Sequence, residues 1–243
     1  MKSKFLGIGI FLLVAVSCNK NDGYSLGKFQ VDIATVKKVG TDNSYSLTLD
    51  NGKSLWIAAS DVWYKPVDNQ RVFVNYTLLS DKIDGYDHFV KVNAIWNILT
   101  KGVIDLTTEN ADSIGHDPIN INAVWVGSDF LNIDFMFNYG GVRPHAINLV
   151  KNLSDFDDNA DTIELEFRHN SYNSQSNRLL EGLASFNLKP LQRNDVDLVK
   201  IKVKVKTWDG QKTYDVVYKY NNEAINATHY ETPVLVVSSD EYY

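Results

Sequence analysis

Strict two-residue alternation of apolar and polar side chains, in short runs broken by turn residues, is the feature that most limits how this chain can fold. In "YSLTLDNGKSLWIA", Tyr45, Leu47 and Leu49 share one face, and Asp50-Asn51-Gly52-Lys53 supplies a tight hairpin turn. A period of two sends successive side chains to opposite faces of a strand and leaves no stripe for a helix to bury. Five such runs occupy Lys28 to Val39, Ser44 to Asp50, Lys53 to Ala59, Gln70 to Leu79 and His88 to Leu99. Only "SDVWYKPVDN" lies between the third and the fourth. This spacing predicts an OB-type five-stranded barrel over residues 27–99. Further runs follow at Asn120 to Val126, Leu131 to Tyr139, His145 to Asn152, Thr162 to Asn170, Leu183 to Leu188, Leu198 to Trp208, Thr213 to Asn221 and Val234 to Val237. Gly-Ser, Gly-Gly and Asp-Gly turns separate many of them, which predicts a β-sandwich over residues 100–243. The fold class is all-β, with helix expected only as a turn or two in "SNRLLEGLAS".

The N-terminus has a different grammar. Lys2 and Lys4 precede an apolar run from Phe5 to Val16, after which small and polar residues take over. A spanning helix needs about 20 apolar residues, so this run reads as a signal peptide, residues 1–17, that is removed. The sole cysteine of the chain, Cys18, follows directly in Ala15-Val16-Ser17-Cys18. That arrangement resembles the bacterial lipoprotein signal, departing from its commonest form at Ala15, where Leu is usual. The resemblance implies that the Cys18 thiol carries a diacylglyceryl group and becomes the new N-terminus, with residues 18–26 as a tether. Two or more acyl chains hold a protein to a bilayer stably, so the expected location is the cell envelope, at the outer membrane, anchored without spanning. With no second cysteine to pair, the domains must be stabilised by burial rather than by disulfides.

Charge narrows the partners. Residues 27–99 hold eight basic and eight acidic side chains, whereas residues 100–243 hold 13 basic and 21 acidic. Trp56, Trp63, Tyr64 and Tyr76 could stack on bases, but a neutral barrel on an acidic protein lacks the footprint that nucleic-acid binding requires. In "VKIKVKVKTW", Lys200, Lys202, Lys204 and Lys206 alternate with Val199, Ile201, Val203 and Val205, which sets four ammonium groups along one sheet face. They are expected to form a solvated row that discourages edge pairing and is balanced by acids such as those of "IELE".

Candidate chemistry is sparse. Asp155, Asp157, Asn159 and Glu166 take positions one, three, five and twelve of a calcium loop, but Ala160 stands where the turn needs Gly and both flanks read as strand. An acidic hairpin loop is the expected form. His88, His116, His145, His169 and His229 show no metal-ligand spacing, and His145 and His169 continue inward faces as structural residues. No nucleophile elbow or phosphate loop is present. No metal, cofactor or catalytic residue is therefore assigned, and the chain is not expected to be an enzyme. Asp112-Ser113-Ile114 and Asp161-Thr162-Ile163 resemble a short acceptor motif for O-glycosylation, Ser113 in an expected loop being the better placed.

The segments "VWVGSDFLNIDFMFNYGG", "HAINLVKN", "IELEFRHN" and "GLASFNLKPL" are similar to the C-terminal sandwich of the NigD-like lipoproteins of Bacteroides and relatives. That resemblance implies an N-terminal OB domain, an Ig-like sandwich and an immunity or accessory role beside a bacteriocin, with no catalytic residue to carry over. The expected function is a lipid-anchored module that binds a protein. The alternative is a glycan-binding lipoprotein of a polysaccharide uptake system, with Trp56, Trp63 or Trp208 stacking on sugar rings. An envelope hydrolase would need two or three acids converging in a cleft.

Overall fold

The computed structural model describes residues 24–40, 43–141, 143–153, 161–175, 178–220 and 242–243. Cys18, Asp155, Asp157, Asn159, Ala160, His229 and the run Val234 to Val237 lie outside the described residues. The N-terminal strands are β1 (Gln30–Lys38), β2 (Tyr45–Leu49), β3 (Ser54–Ser60), β4 (Arg71–Leu78) and β5 (His88–Asn97), closed into a barrel in the order β1-β2-β3-β5-β4. Closure needs β3 and β5 to run parallel, with a register shift between Ile57 and Ala59. Inward residues such as Val36, Leu47, Leu55, Val72, Val74, Tyr76, Val90 and Val92 fill the interior. Tyr76, considered above for stacking, is thus core, its hydroxyl donating to Gln30 and Asp32 at 2.8 and 2.9 Å.

The second domain contains β6 (Leu99–Leu106), the single-turn α1 (Ala111–Ile114), β7 (Asn120–Gly127), β8 (Phe130–Asn138), β9 (Ala146–Asn152), β10 (Thr162–Asn170), β11 (Leu179–Asn187), β12 (Leu198–Thr207) and β13 (Gly210–Lys219). Their order is β13-β12-β10-β9-β6-β11-β8-β7. Strand β6 turns the corner of the sandwich. Its first half pairs parallel with β11 (Leu99 opposite Ala184) and its second half parallel with β9 (Val103 opposite Leu149). The two layers it joins meet in one aromatic core, where Phe135 and Phe167 lie 5.5 Å apart and Phe167 and Phe186 6.0 Å apart. Tyr242 enters this core from the chain's end, its hydroxyl bonded to both the N–H and the C=O of Leu183 at 3.0 Å. Gly182 makes the space, since a Cβ there would lie 2.6 Å from the Phe135 ring and 3.0 Å from that of Tyr242.

Three expectations are corrected here. The segment "SNRLLEGLAS" is not helical over its described part, because Leu179 onward joins a nine-residue ladder with β8. β12 is not an edge, since β13 pairs along all of it, so its lysines do not serve to block edge pairing. Ser113 sits in α1 rather than in a loop, its hydroxyl donating to the Asn110 carbonyl at 2.8 Å.

A buried ion pair locks the domains together. Arg71 opens β4, is 0% exposed, and places its guanidinium 2.7 Å from Asp50 Oδ1 and 2.8 Å from Oδ2. It also donates to Thr35 at 3.0 Å within the barrel and to Asn132 of β8 at 3.3 Å across the junction, with the Phe130 ring 4.8 Å away. Asn132 in turn accepts from Ser185 at 2.6 Å. Gly127 is needed at this seam, because a Cβ there would fall 2.0 Å from the Asp50 carboxylate.

Candidate functional site

The end of β10 builds a concavity with the chain that leaves α1. The chain leaving α1 can follow β10 closely because Gly115, at φ 76°, lies where a Cβ would come 2.5 Å from that of Asn170. Asn170 then donates to the Ser113 carbonyl at 3.0 Å, and the Asp117 N–H donates to the His169 carbonyl at 2.8 Å. The result is a hollow of about 520 Å³ lined by Asp112, His116, Asp117, Arg168, Asn170 and Tyr172. A smaller one of about 110 Å³ shares His116 and Arg168 and continues past Glu166, Lys204, Lys206 and Gln211. Together they form an open groove across β10 and β12.

Two of its basic side chains are held by acids, and a third by a backbone carbonyl. Arg168 pairs with Glu166 at 2.6 Å, Lys204 with Glu164 at 2.6 Å, and Lys206 donates to the His116 carbonyl at 2.8 Å. The lysine row is therefore balanced by the acids of the neighbouring strand, Glu164 standing opposite Lys202 and Glu166 opposite Lys204. Burial opposes ionisation of Asp117, but the Ser171 hydroxyl (2.6 Å) and N–H (2.8 Å) outweigh it and hold the carboxyl below its ordinary range. His116 is held below the usual imidazole value by burial and by nearby Arg168 and Lys206.

The polar groups around the groove bond mainly to one another. The Ser171 hydroxyl donates to Asp117 Oδ2 at 2.6 Å. Both ring nitrogens of His169 are occupied, Nδ1 by the Pro118 carbonyl at 3.2 Å and Nε2 by His145 Nδ1 at 2.9 Å. Glu166 is engaged by Arg168, while Asp155, Asp157 and Asn159 lie outside the described residues; no cluster of three potential metal ligands occurs among those described.

Two acids do converge elsewhere. On the outer face of β8 and β11, Asn122 donates to both Asp134 (3.0 Å) and Glu181 (3.1 Å), and burial together with the Glu181 charge pushes Asp134 up to about 7. The pair lines neither hollow described above. Because its folded value exceeds the ordinary carboxyl value, Asp134 favours the folded state at acid pH and loses that contribution as pH rises toward 7. Asp134→Asn is therefore expected to raise stability at pH 8 by about 1–2 kcal/mol, after allowance for solvent screening, and to leave it unchanged at pH 4. Urea denaturation at the two pH values checks this.

The aromatics considered for sugar or base stacking are dispersed. Trp56 packs outside the barrel against Tyr86 (5.1 Å) and Phe89 (6.5 Å), and Tyr64 packs on Tyr45 and donates to Asn97. Trp63 is 80% exposed in the β3–β4 connection, and Trp208 lies in the turn between β12 and β13. Sequence reasoning missed the groove and the Arg71 junction. A signal for Arg71 existed: it is the only arginine of residues 27–99 and it opens an apolar strand. The groove had none, since α1, β10 and β12 meet only in the fold.

A closed five-stranded OB barrel clamped to a sandwich with eight strands among the described residues defines the class of protein, a two-domain all-β protein. The chain matches the NigD-like N-terminal OB domain over residues 33–98 and the NigD-like C-terminal beta sandwich domain over residues 102–218. It belongs to the NigD-like family. Among solved structures it is similar to a protein of unknown function from Bacteroides vulgatus, with 30% identity, TM-score 0.72, and coverage of 83% of this chain and 96% of the other. A protein of Parabacteroides distasonis described as toxin-related has 36% identity, TM-score 0.70 and coverage of 80% and 95%. A NigD-like immunity protein from Bacteroides caccae shares the fold at 23% identity, TM-score 0.61 and coverage of 79% and 93%. No curated protein matches the chain.

Proposed function

We propose that this chain is a non-catalytic, lipid-anchored envelope protein whose sandwich groove binds a protein partner, and that bacteriocin immunity is the specific task. The observation that carries the reading is the groove itself: open and of mixed charge, with Arg168 held by Glu166 and Lys204 by Glu164, while Asp112 and Lys206 stand exposed along it. Such a surface complements another protein's polar rim better than it encloses a small substrate. The immunity description of the Bacteroides caccae relative and the toxin-related description of the Parabacteroides distasonis relative support the task. The motif at Cys18 supports the anchor.

Survival of a bacteriocin-sensitive strain expressing the full chain tests the proposal. Protection is expected, and the exposed groove changes Asp112→Arg with Lys206→Glu should abolish it while thermal stability and membrane location stay as they are. Tight binding to an envelope polysaccharide without protection would favour the glycan reading instead.

A further inference from the structure

We infer that the end of the barrel where the chain enters is a lipid-contacting surface, on which Leu26, Phe29 and Ile83 rest in the headgroup region of the membrane that anchors the protein. This inference rests on acylation of Cys18.

Large apolar side chains gather at this end. Leu26 is 75% exposed, Phe29 66%, Tyr24 46% and Ile83 40%. Scattered apolar residues on a surface need no explanation, but these four occupy two turns fixed side by side. The first is closed by the Lys28 N–H donating to the Ser25 carbonyl at 3.0 Å. The second is a two-residue turn in which Ile83 and Tyr86 exchange backbone hydrogen bonds of 3.1 and 3.0 Å around Asp84 and Gly85, at φ 51° and 86°. The Tyr24 hydroxyl donates to Asp81 and ties the two together. Tyr86 is braced on Trp56, and Ile83 across the turn is left exposed.

Topology says what lies beyond. Gln30 at the start of β1 pairs with Tyr76 near the end of β4, whereas Arg71 at the start of β4 faces the sandwich. The apolar turns therefore lie at the pole of the barrel where β4 ends, far along that strand from Arg71, and it is from this pole that the chain runs back toward Cys18. Five residues separate Tyr24 from Cys18, and the six steps between their Cα atoms reach at most about 21 Å even fully extended. An acylated Cys18 thus confines this pole to the membrane surface. Lys28 and Lys82 are matched by Asp81 and Asp84, so the contact is apolar, of the interfacial kind, with Tyr24 suited to the wet boundary.

The test uses the mature acylated chain reconstituted into phosphatidylethanolamine/phosphatidylglycerol vesicles. Ile83→Cys supplies one free thiol for an environment-sensitive fluorophore, and Asp209→Cys in the far turn of the sandwich is the control. Emission from position 83 should shift to the blue and lose intensity to doxyl groups carried on the lipids, and emission from position 209 should do neither. Adding Leu26→Glu and Phe29→Glu should reverse the shift at position 83 while the protein still floats with the vesicles. An acylated, floating protein whose position 83 reports water overturns the lipid contact and leaves the anchor standing. A mature chain without acyl groups overturns both.

Discussion

Replacing Arg71 with Ala is expected to lower the free energy of unfolding by about 3–5 kcal/mol, because it leaves a buried carboxylate without its counter-charge. Asp50 would keep only the long contact from Asn132 at 3.4 Å, and Thr35 would lose its partner. The junction would loosen at the same time, since Arg71 donates from the barrel to Asn132 and lies over the Phe130 ring. Arg71→Met combined with Asp50→Leu should recover most of the loss, as apolar replacement of a whole buried pair costs far less than breaking it. Urea denaturation of the three variants makes the comparison. A loss below about 1 kcal/mol for the single variant would mean that the pair behaves as an exposed one.

Acidification from pH 7 to pH 4 is expected to cost about 3 kcal/mol through the histidine pair inside the sandwich. The Pro118 carbonyl requires a proton on His169 Nδ1, so neutral His169 accepts at Nε2 and His145 donates from Nδ1. His145 Nε2 then stands as a bare acceptor, with no hydrogen-bond partner among the described residues. Adding a proton to His169 Nε2 would set two N–H groups against each other, and moving the His145 proton to its own Nε2 would bury an unpartnered donor. Burial, with the neighbouring His145, accordingly holds His169 down to about 4, and burial lowers His145 as well; Asp117 opposes both. The unfolded chain takes up these protons near 6.5, ahead of the folded one. The contribution is therefore complete above about 6.5 and is lost as pH falls toward 4. Asp134 changes stability in the opposite sense over nearly the same range, so the trend is clearest in the Asp134→Asn background. There, His145→Phe with His169→Gln should flatten the profile, and an unaltered slope would assign it to other groups.

Much of the architecture was legible because alternation survives wherever one strand face is buried. "YSLTL", "VKIKVKVKTW" and "IELEFRHN" each became the strand their pattern predicts. β6 was missed for a reason visible in its burial. It changes partner halfway, so neither face stays covered for long, and Gly102 interrupts its side chains at the crossing. β11 begins earlier than Leu183 because pairing with β8 and the space Gly182 gives Tyr242 hold "LLEG" extended, where its pattern alone suits a helical turn. His145 and His169 were placed on inward faces correctly, but their contact depends on the register that sets His169 beside Ile147. The groove depends likewise on parallel pairing of β10 with β12, which local pattern does not encode.

The anchor is the claim on which function, location and orientation all turn, and the intact mass of the protein recovered from membranes tests it most directly. The expected result is a chain that starts at Cys18, heavier than its amino-acid mass by a thioether-linked diacylglyceryl group and an N-terminal acyl chain, and a Cys18→Ser form released from the membrane fraction. A free thiol at that position, or a serine variant that still sediments with membranes, would contradict it.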